Sequence, residues 1–288
     1  MVERRSRRVR LLAWILLASA IGLLAVQDPS RAGKHGPPPI SLERMSMPGI
    51  ASVVYVARID LRQVALALYP GTSEPPVAVP RGPASIPTAQ RWRLLATFNG
   101  GFKYTSIGSE NGFSVDGHTY VWLKRGLGTL VEHSDGSVDI ETWHGGPLPP
   151  PSVVLARQNL PLIVDRGRPA VGAGNNGLWG ATLGGLPAVW RTGIGLDTRG
   201  DLVFVAASDL TAWGLATALV RAGAIRAIEL DINPEWPTFI VYGHKGGLRP
   251  WMFVPNPQQS PRRYLSPDSR DFFALYRRAG ARATVPFR

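Results

Sequence analysis

Ala227-Ile228-Glu229-Leu230-Asp231-Ile232-Asn233-Pro234-Glu235-Trp236 opens as a buried strand and closes as a polar elbow stopped by Pro234 and Pro237. Three carboxylates (Glu229, Asp231, Glu235) and the amide of Asn233 fall within it, in a chain with only 20 acidic residues. Side chains alternate along a strand, so Glu229 and Asp231 should share one face and Ile228 and Leu230 the other. Adjacent carboxylates repel unless a cation, a metal or a shared proton stands between them. Acids in an apolar strand are costly unless paired or used, so Glu229 and Asp231 are the first candidates for chemistry. The competing reading is a structural ion pair or cap network.

Just upstream lies the best helical pattern in the chain. Ser208 or Asp209 can cap it, Leu215, Ala218, Leu219 and Ala222 form its apolar stripe, and Gly223 closes it. Before it, Arg191-Thr192-Gly193-Ile194-Gly195-Leu196-Asp197 reads as a strand that turns at Thr198-Arg199-Gly200 and returns over 202–206. Strand, helix, strand in that order predict a crossover unit packed on a sheet. Beyond the elbow, 238–242 and 251–254 read as strands, 256–267 as loop, and 271–279 as a short terminal helix stopped by Gly280.

The half before this unit is strand-rich. Runs 53–61 and 64–69 carry valine, alanine and leucine, and Pro70-Gly71 ends them. Leu94-Leu95-Ala96-Thr97-Phe98 is a buried strand running into Asn99-Gly100-Gly101-Phe102, a tight turn whose glycines could take positive φ. Asp116-Gly117 and Asp135-Gly136 mark hairpins among strands at 112–117, 120–123, 128–133 and 138–143, and further strands follow at 153–155 and 160–164. Residues 172–177 match G-x-G-x-x-G by letter, but no good helix follows, so a glycine-rich loop is preferred to a dinucleotide site.

The N-terminus reads as a targeting segment. The first ten residues hold five arginines and one glutamate, and 11–26 is an apolar run without charge. This is the form of a signal peptide or short signal anchor, with the N-terminus cytoplasmic and the remainder exported. The expected divisions are 1–26 for that segment, 27–48 for a Pro/Gly-rich linker, 49–255 for the domain, and 256–288 for a C-terminal loop and short helix. The expected location is the cell membrane, single-pass with an extracytoplasmic C-terminal domain, or secretion if the segment is cleaved.

Composition narrows the chemistry. The chain has 288 residues and no cysteine, which rules out disulfides, a thiolate nucleophile and zinc–thiolate sites. The five histidines are scattered and form no H-E-x-x-H pair; neither G-x-S-x-G nor a Walker loop is present. The formal net charge is +12, but no nucleic-acid module accompanies it, so anionic lipid, phosphate or acidic polysaccharide is the expected partner class. Arg191 could clamp a phosphate in a bidentate fashion, or form a surface salt bridge. Lys103 could touch phosphate or be simply solvated. Asn99 and Asn233 could hold hydroxyls or satisfy their own turns. Trp236 could stack on a sugar ring or pack in the core.

Ala96-Thr97-Phe98-Asn99-Gly100-Gly101-Phe102 resembles the "NGGF" segment of the phosphodiester glycosidase family, whose members include the lysosomal uncovering enzyme acting on N-acetylglucosamine-1-phosphodiesters. Residues 191–205 resemble that family's R-T-A-I-G-x-D-x-x-G strand pair, and 208–231 its helix and L-D-G-G-G-S strand. The resemblance implies a single α/β domain, in the α+β sense, with a mixed, strand-rich sheet and few helices. It implies hydrolysis of a sugar-1-phosphodiester, with Asp231 as base or nucleophile and Glu229 as its partner. Arg191 and Lys103 would neutralise phosphate, while Asn99, Gly100, Gly101, Asn233, Glu235 and Trp236 would line the substrate. A divalent cation on Glu229, Asp231 and Glu235 is compatible with these residues, though no spacing demands one. The pattern is broken at 232–236, where the family's glycine turn is replaced by Ile-Asn-Pro-Glu-Trp. A non-catalytic module binding envelope glycopolymer is the alternative.

Overall fold

A computed structural model describes residues 37–77, 81–104, 111–170, 176–180 and 185–279. The expected targeting segment, most of the expected linker and most of the 172–177 glycine motif lie outside the described residues. Among the described residues no helix is long and apolar enough to cross a membrane.

The strands, in chain order, are β1 (Ile40–Met47), β2 (Ile50–Ile59), β3 (Val64–Tyr69), β4 (Leu94–Asn99), β5 (Phe113–Val115) and β6 (His118–Val121). Then come β7 (Gly128–His133), β8 (Val138–Thr142), β9 (Val153–Gln158), β10 (Val164–Asp165) and β11 (Arg168–Pro169). The last are β12 (Val189–Asp197), β13 (Leu202–Leu210), β14 (Ala224–Glu229), β15 (Phe239–Gly243), β16 (Arg249–Val254) and β17 (Phe272–Arg277), with helix α1 (Ala212–Arg221) between β13 and β14.

They build three sheets, in the orders β1-β2-β13-β12-β14-β10-β11, β16-β15-β4-β17-β3 and β6-β5-β9-β7-β8. Every neighbouring pair is antiparallel, so the expected mixed sheet is corrected to three antiparallel ones. The crossover is nonetheless present. β13 and β14 both flank β12 antiparallel to it, so they run parallel to each other, joined by α1. A strand that must skip a neighbour needs such a connection.

The main core lies between the sheets. Phe98 of β4, Phe239 of β15 and Phe204 of β13 meet there with ring centroids 5.0–6.0 Å apart, and Leu130 and Leu155 come from the third sheet. A second core lies under α1, where Ala212, Leu215, Ala216, Ala218 and Leu219 cover the other face of the seven-stranded sheet. Gly193 and Gly195 of β12 face this layer: a β-carbon would come 3.0 Å from Leu219 at the first and 2.5 Å from Ala224 at the second.

Three expected boundaries are corrected. Residues 40–47, assigned to the linker, are a full edge strand paired with β2, its ends Ile40 and Met47 buried. The helix is capped by Thr211, whose hydroxyl accepts from Gly214 N; Ser208 and Asp209 still belong to β13. The terminal segment is a strand and not a helix: β17 sits between β4 and β3 with Phe272 to Tyr276 all buried. A short apolar run buried on both faces has no periodicity to separate the two states.

Candidate active site

β14 ends at Glu229, and Ile228 and Leu230 on either side point into the core between the sheets. Glu229 turns the other way and meets Arg191 of β12 at 2.5 Å, both side chains fully buried. Arg191 also donates from Nε to the Leu210 carbonyl (2.9 Å) and from Nη1 to the Trp179 carbonyl (2.8 Å). One oxygen of Glu229 and one nitrogen of Arg191, Oε2 and Nη2, are buried without a hydrogen-bond partner. Burial pushes the Glu229 carboxyl up to about 8 against the pull of Arg191, and the nearby Asp231 adds to the rise.

Asp231 is held by a residue that the sequence pattern did not single out. Arg270 Nη2 donates to Asp231 Oδ2 at 2.6 Å and to the Gly101 carbonyl at 3.0 Å. The other carboxylate oxygen accepts from the Asn233 backbone N–H at 3.0 Å, an Asx turn that starts the elbow. Burial raises the Asp231 carboxyl, and Arg270 opposes that rise. Arg270 keeps Nε and Nη1 buried without hydrogen bonds, with Nε 3.8 Å from Glu74. Its guanidinium lies 5.1 Å over the ring of Trp236, as does that of Arg263.

The Asn99-Gly100-Gly101 turn docks directly on this cluster. The Asn99 amide donates to Thr192 Oγ1, and that hydroxyl donates to the Asp231 carbonyl. Asn99 Oδ1 accepts from Thr238 N, and Asp231 N donates to the Gly100 carbonyl. The glycines are needed for approach and not for positive φ. A β-carbon at Gly100 would lie 2.1 Å from Asp271 Oδ2, and one at Gly101 2.9 Å from Arg157 Nη2. Asp271 and Arg157 are themselves a fully buried pair at 2.8 Å. Asn159 joins the layers, accepting from Phe102 N and donating to the Glu229 carbonyl.

Asn99, Gly100, Gly101, Arg191, Glu229 and Asp231 are therefore brought together, but in altered parts. Arg191 is sealed and holds Glu229 in a buried pair, so it is not a surface salt bridge. Asn99 is saturated by backbone and Thr192. Lys103 is exposed, and its charge reaches Glu74. Glu235 is exposed on the elbow, its backbone N–H donating to Asn233 Oδ1. Among the described residues no three His, Cys, Asp or Glu side chains are placed to hold a metal ion. Glu229, Asp231 and Glu235 thus do not fit a cation: the first two each face an arginine and the third turns to solvent.

Sequence reasoning missed Arg157, Asn159, Glu74, Arg270 and Asp271. A signal existed: Arg157-Gln158-Asn159 ends an apolar strand, and Arg270-Asp271 precedes another, each a charged group where a core strand begins or stops.

The fold that carries this site is a three-sheet α+β domain. Among solved structures, the catalytic domain of zebrafish N-acetylglucosamine-1-phosphodiester alpha-N-acetylglucosaminidase, auto-inhibited by its pro-peptide, matches with a TM-score of 0.51 at 16% identity, over 83% of this chain and 82% of that one. A hypothetical protein from Synechocystis matches with a TM-score of 0.48 at 14% identity, over 82% of this chain and 61% of that one. No protein-family model matches the chain, and no curated protein matches it in sequence. The likeness to the zebrafish domain is one of fold.

Proposed function

We propose that the protein is an exported, membrane-anchored hydrolase that cleaves a sugar-1-phosphodiester in cell-envelope glycans, between the anomeric carbon and the phosphate oxygen. The observation that carries the reading is the pair Glu229 and Asp231: two buried carboxylates at one strand end, each held by its own buried guanidinium, against the Asn99-Gly100-Gly101 turn. The fold shared with the zebrafish phosphodiester glycosidase domain agrees with it.

Cleavage there develops positive charge at the anomeric carbon and negative charge on the leaving phosphate. Asp231, hydrogen-bonded to Arg270 at the strand end, is placed to act as base or nucleophile. Glu229, raised to about 8 by burial, can carry a proton near neutrality beside it. Arg270, whose Nε and Nη1 are buried without hydrogen bonds, is the better candidate than Arg191 to meet phosphate oxygens. The Trp236 ring, half-buried beside it, offers a face to the sugar.

One observation favours the alternative of a non-catalytic glycan-binding module: both Asp231 oxygens are already engaged. The readings separate on a nitrophenyl-phosphodiester glycan. An enzyme releases sugar, and Asp231→Asn abolishes release while glycan binding persists. A module binds glycan and releases nothing, with or without added metal.

A further inference from the structure

Away from the carboxylate–arginine cluster, a cavity of about 580 Å³ runs along β3. Every residue from Ala65 to Tyr69 lines it. Successive side chains of a strand point to opposite faces, so a cavity touching all of them follows the strand's edge. Among the described residues that edge is free: β3 ends its sheet, paired with β17 on one side and with no strand on the other. Alternate residues therefore turn unpaired N–H and C=O groups toward the cavity.

The opposite wall is acidic. Glu132 of β7 has the same parity as Leu130, which lies in the core between the sheets, whereas Val131 faces the other way. Its carboxyl thus points inward and, among the described residues, makes no hydrogen bond or ion pair. Burial lifts the Glu132 carboxyl to about 7 against the charge of Arg278, whose own donors go to the carbonyls of Leu61, Val64 and Gly136; Asp116, at the tip of the β5–β6 hairpin, also lines the space and adds to the rise. The cations of the lining are already occupied. Arg81 binds the carbonyls of Gly71, Pro75 and Val77, and Arg93 lies over Tyr276 and donates to Gln90.

We propose that this cleft takes an extended peptide that adds to the free edge of β3 and directs a lysine or arginine side chain to Glu132 and Asp116. An unpaired edge supplies main-chain affinity and alternating side-chain positions supply selectivity, which is the logic of strand addition. The volume suits a short segment, within the 300–1,000 Å³ typical of small-ligand sites. A cationic side chain would pair with an inward carboxyl that makes no hydrogen bond or ion pair among the described residues and feels Arg278 only through its charge.

The full-length protein is titrated with fluorescein-labelled acetyl-Val-Lys-Val-Lys-Val-amide and followed by polarisation. Binding is expected, weakened at least tenfold by N-methylation of the peptide backbone, which keeps its charge but removes its donors. Replacing both lysines by glutamate is expected to abolish binding. Glu132→Gln, checked for an unchanged melting transition, is expected to weaken the lysine peptide several-fold. Hydrogen exchange at residues 65–69 should slow when the peptide binds. The proposal is overturned if nothing binds at millimolar peptide, or if the N-methylated peptide binds equally well. It is also overturned if N-acetyl-lysine amide competes as well as the peptide, which would make the cleft a small-cation site.

Discussion

Asp231 and Glu229 differ in the kind of arginine that holds them, and that difference sets two expectations. Glu229 faces a sealed partner, and burial lifts its carboxyl to about 8 from an ordinary 4.5. Its folded form therefore holds a proton that the unfolded chain releases between those values. This contribution is full below about pH 4.5 and is lost as pH rises toward 8, by up to about 1.4 kcal/mol per pH unit. Urea midpoints at pH 5, 6.5 and 8 should fall with pH in the wild type and flatten in Glu229→Gln. Because glutamine mimics the protonated carboxyl, the variant should lie closest to the wild type at pH 5 and should lose less stability by pH 8. A second expectation concerns Gly100. A methyl group there would overlap the Asp271 carboxylate, so Gly100→Ala should cost about 1–3 kcal/mol or more by overpacking, read as a lowered melting temperature.

At the scale of elements, β14 and its elbow were legible because alternation and two prolines mark them. The strand pair β12–β13 and the crossover helix were legible for the same local reasons. β17 was not. Asp271-Phe272-Phe273-Ala274-Leu275-Tyr276-Arg277 contains nothing that forbids a helix, and its state is set by β3 and β4 on either side. The edge strand β1 was hidden by the prolines just before it. Of the candidate site, the carboxylates and the glycine turn could be read from strand chemistry. Arg270 and Arg157 showed only as charges at the ends of apolar strands; their partners, 39 and 114 residues away in sequence, could not be read. Since β17 is central, a chain ending at Ser269 should lose cooperative folding altogether, whereas loss of a terminal helix would leave the sheet standing. Far-UV circular dichroism through a thermal ramp distinguishes the two.

For the whole molecule, the three antiparallel sheets share one core, and the Phe98–Phe204–Phe239 contact ties two of them together. Phe204→Ala should cost about 3–5 kcal/mol and shift near-UV and far-UV transitions together, since both report the same unit. This core also positions the chemistry: β12 and β14 bring Arg191, Glu229 and Asp231, β4 brings the glycine turn, and the approach to β17 brings Arg270. The central claim is that these groups cleave at the anomeric carbon. Hydrolysis of a sugar-1-phosphodiester in ¹⁸O-water, read by mass spectrometry, tests it directly. The account predicts label in the released sugar's anomeric hydroxyl and none in the phosphate, with turnover lost in Asp231→Asn. Label in the phosphate, or turnover undiminished in that variant, would contradict it.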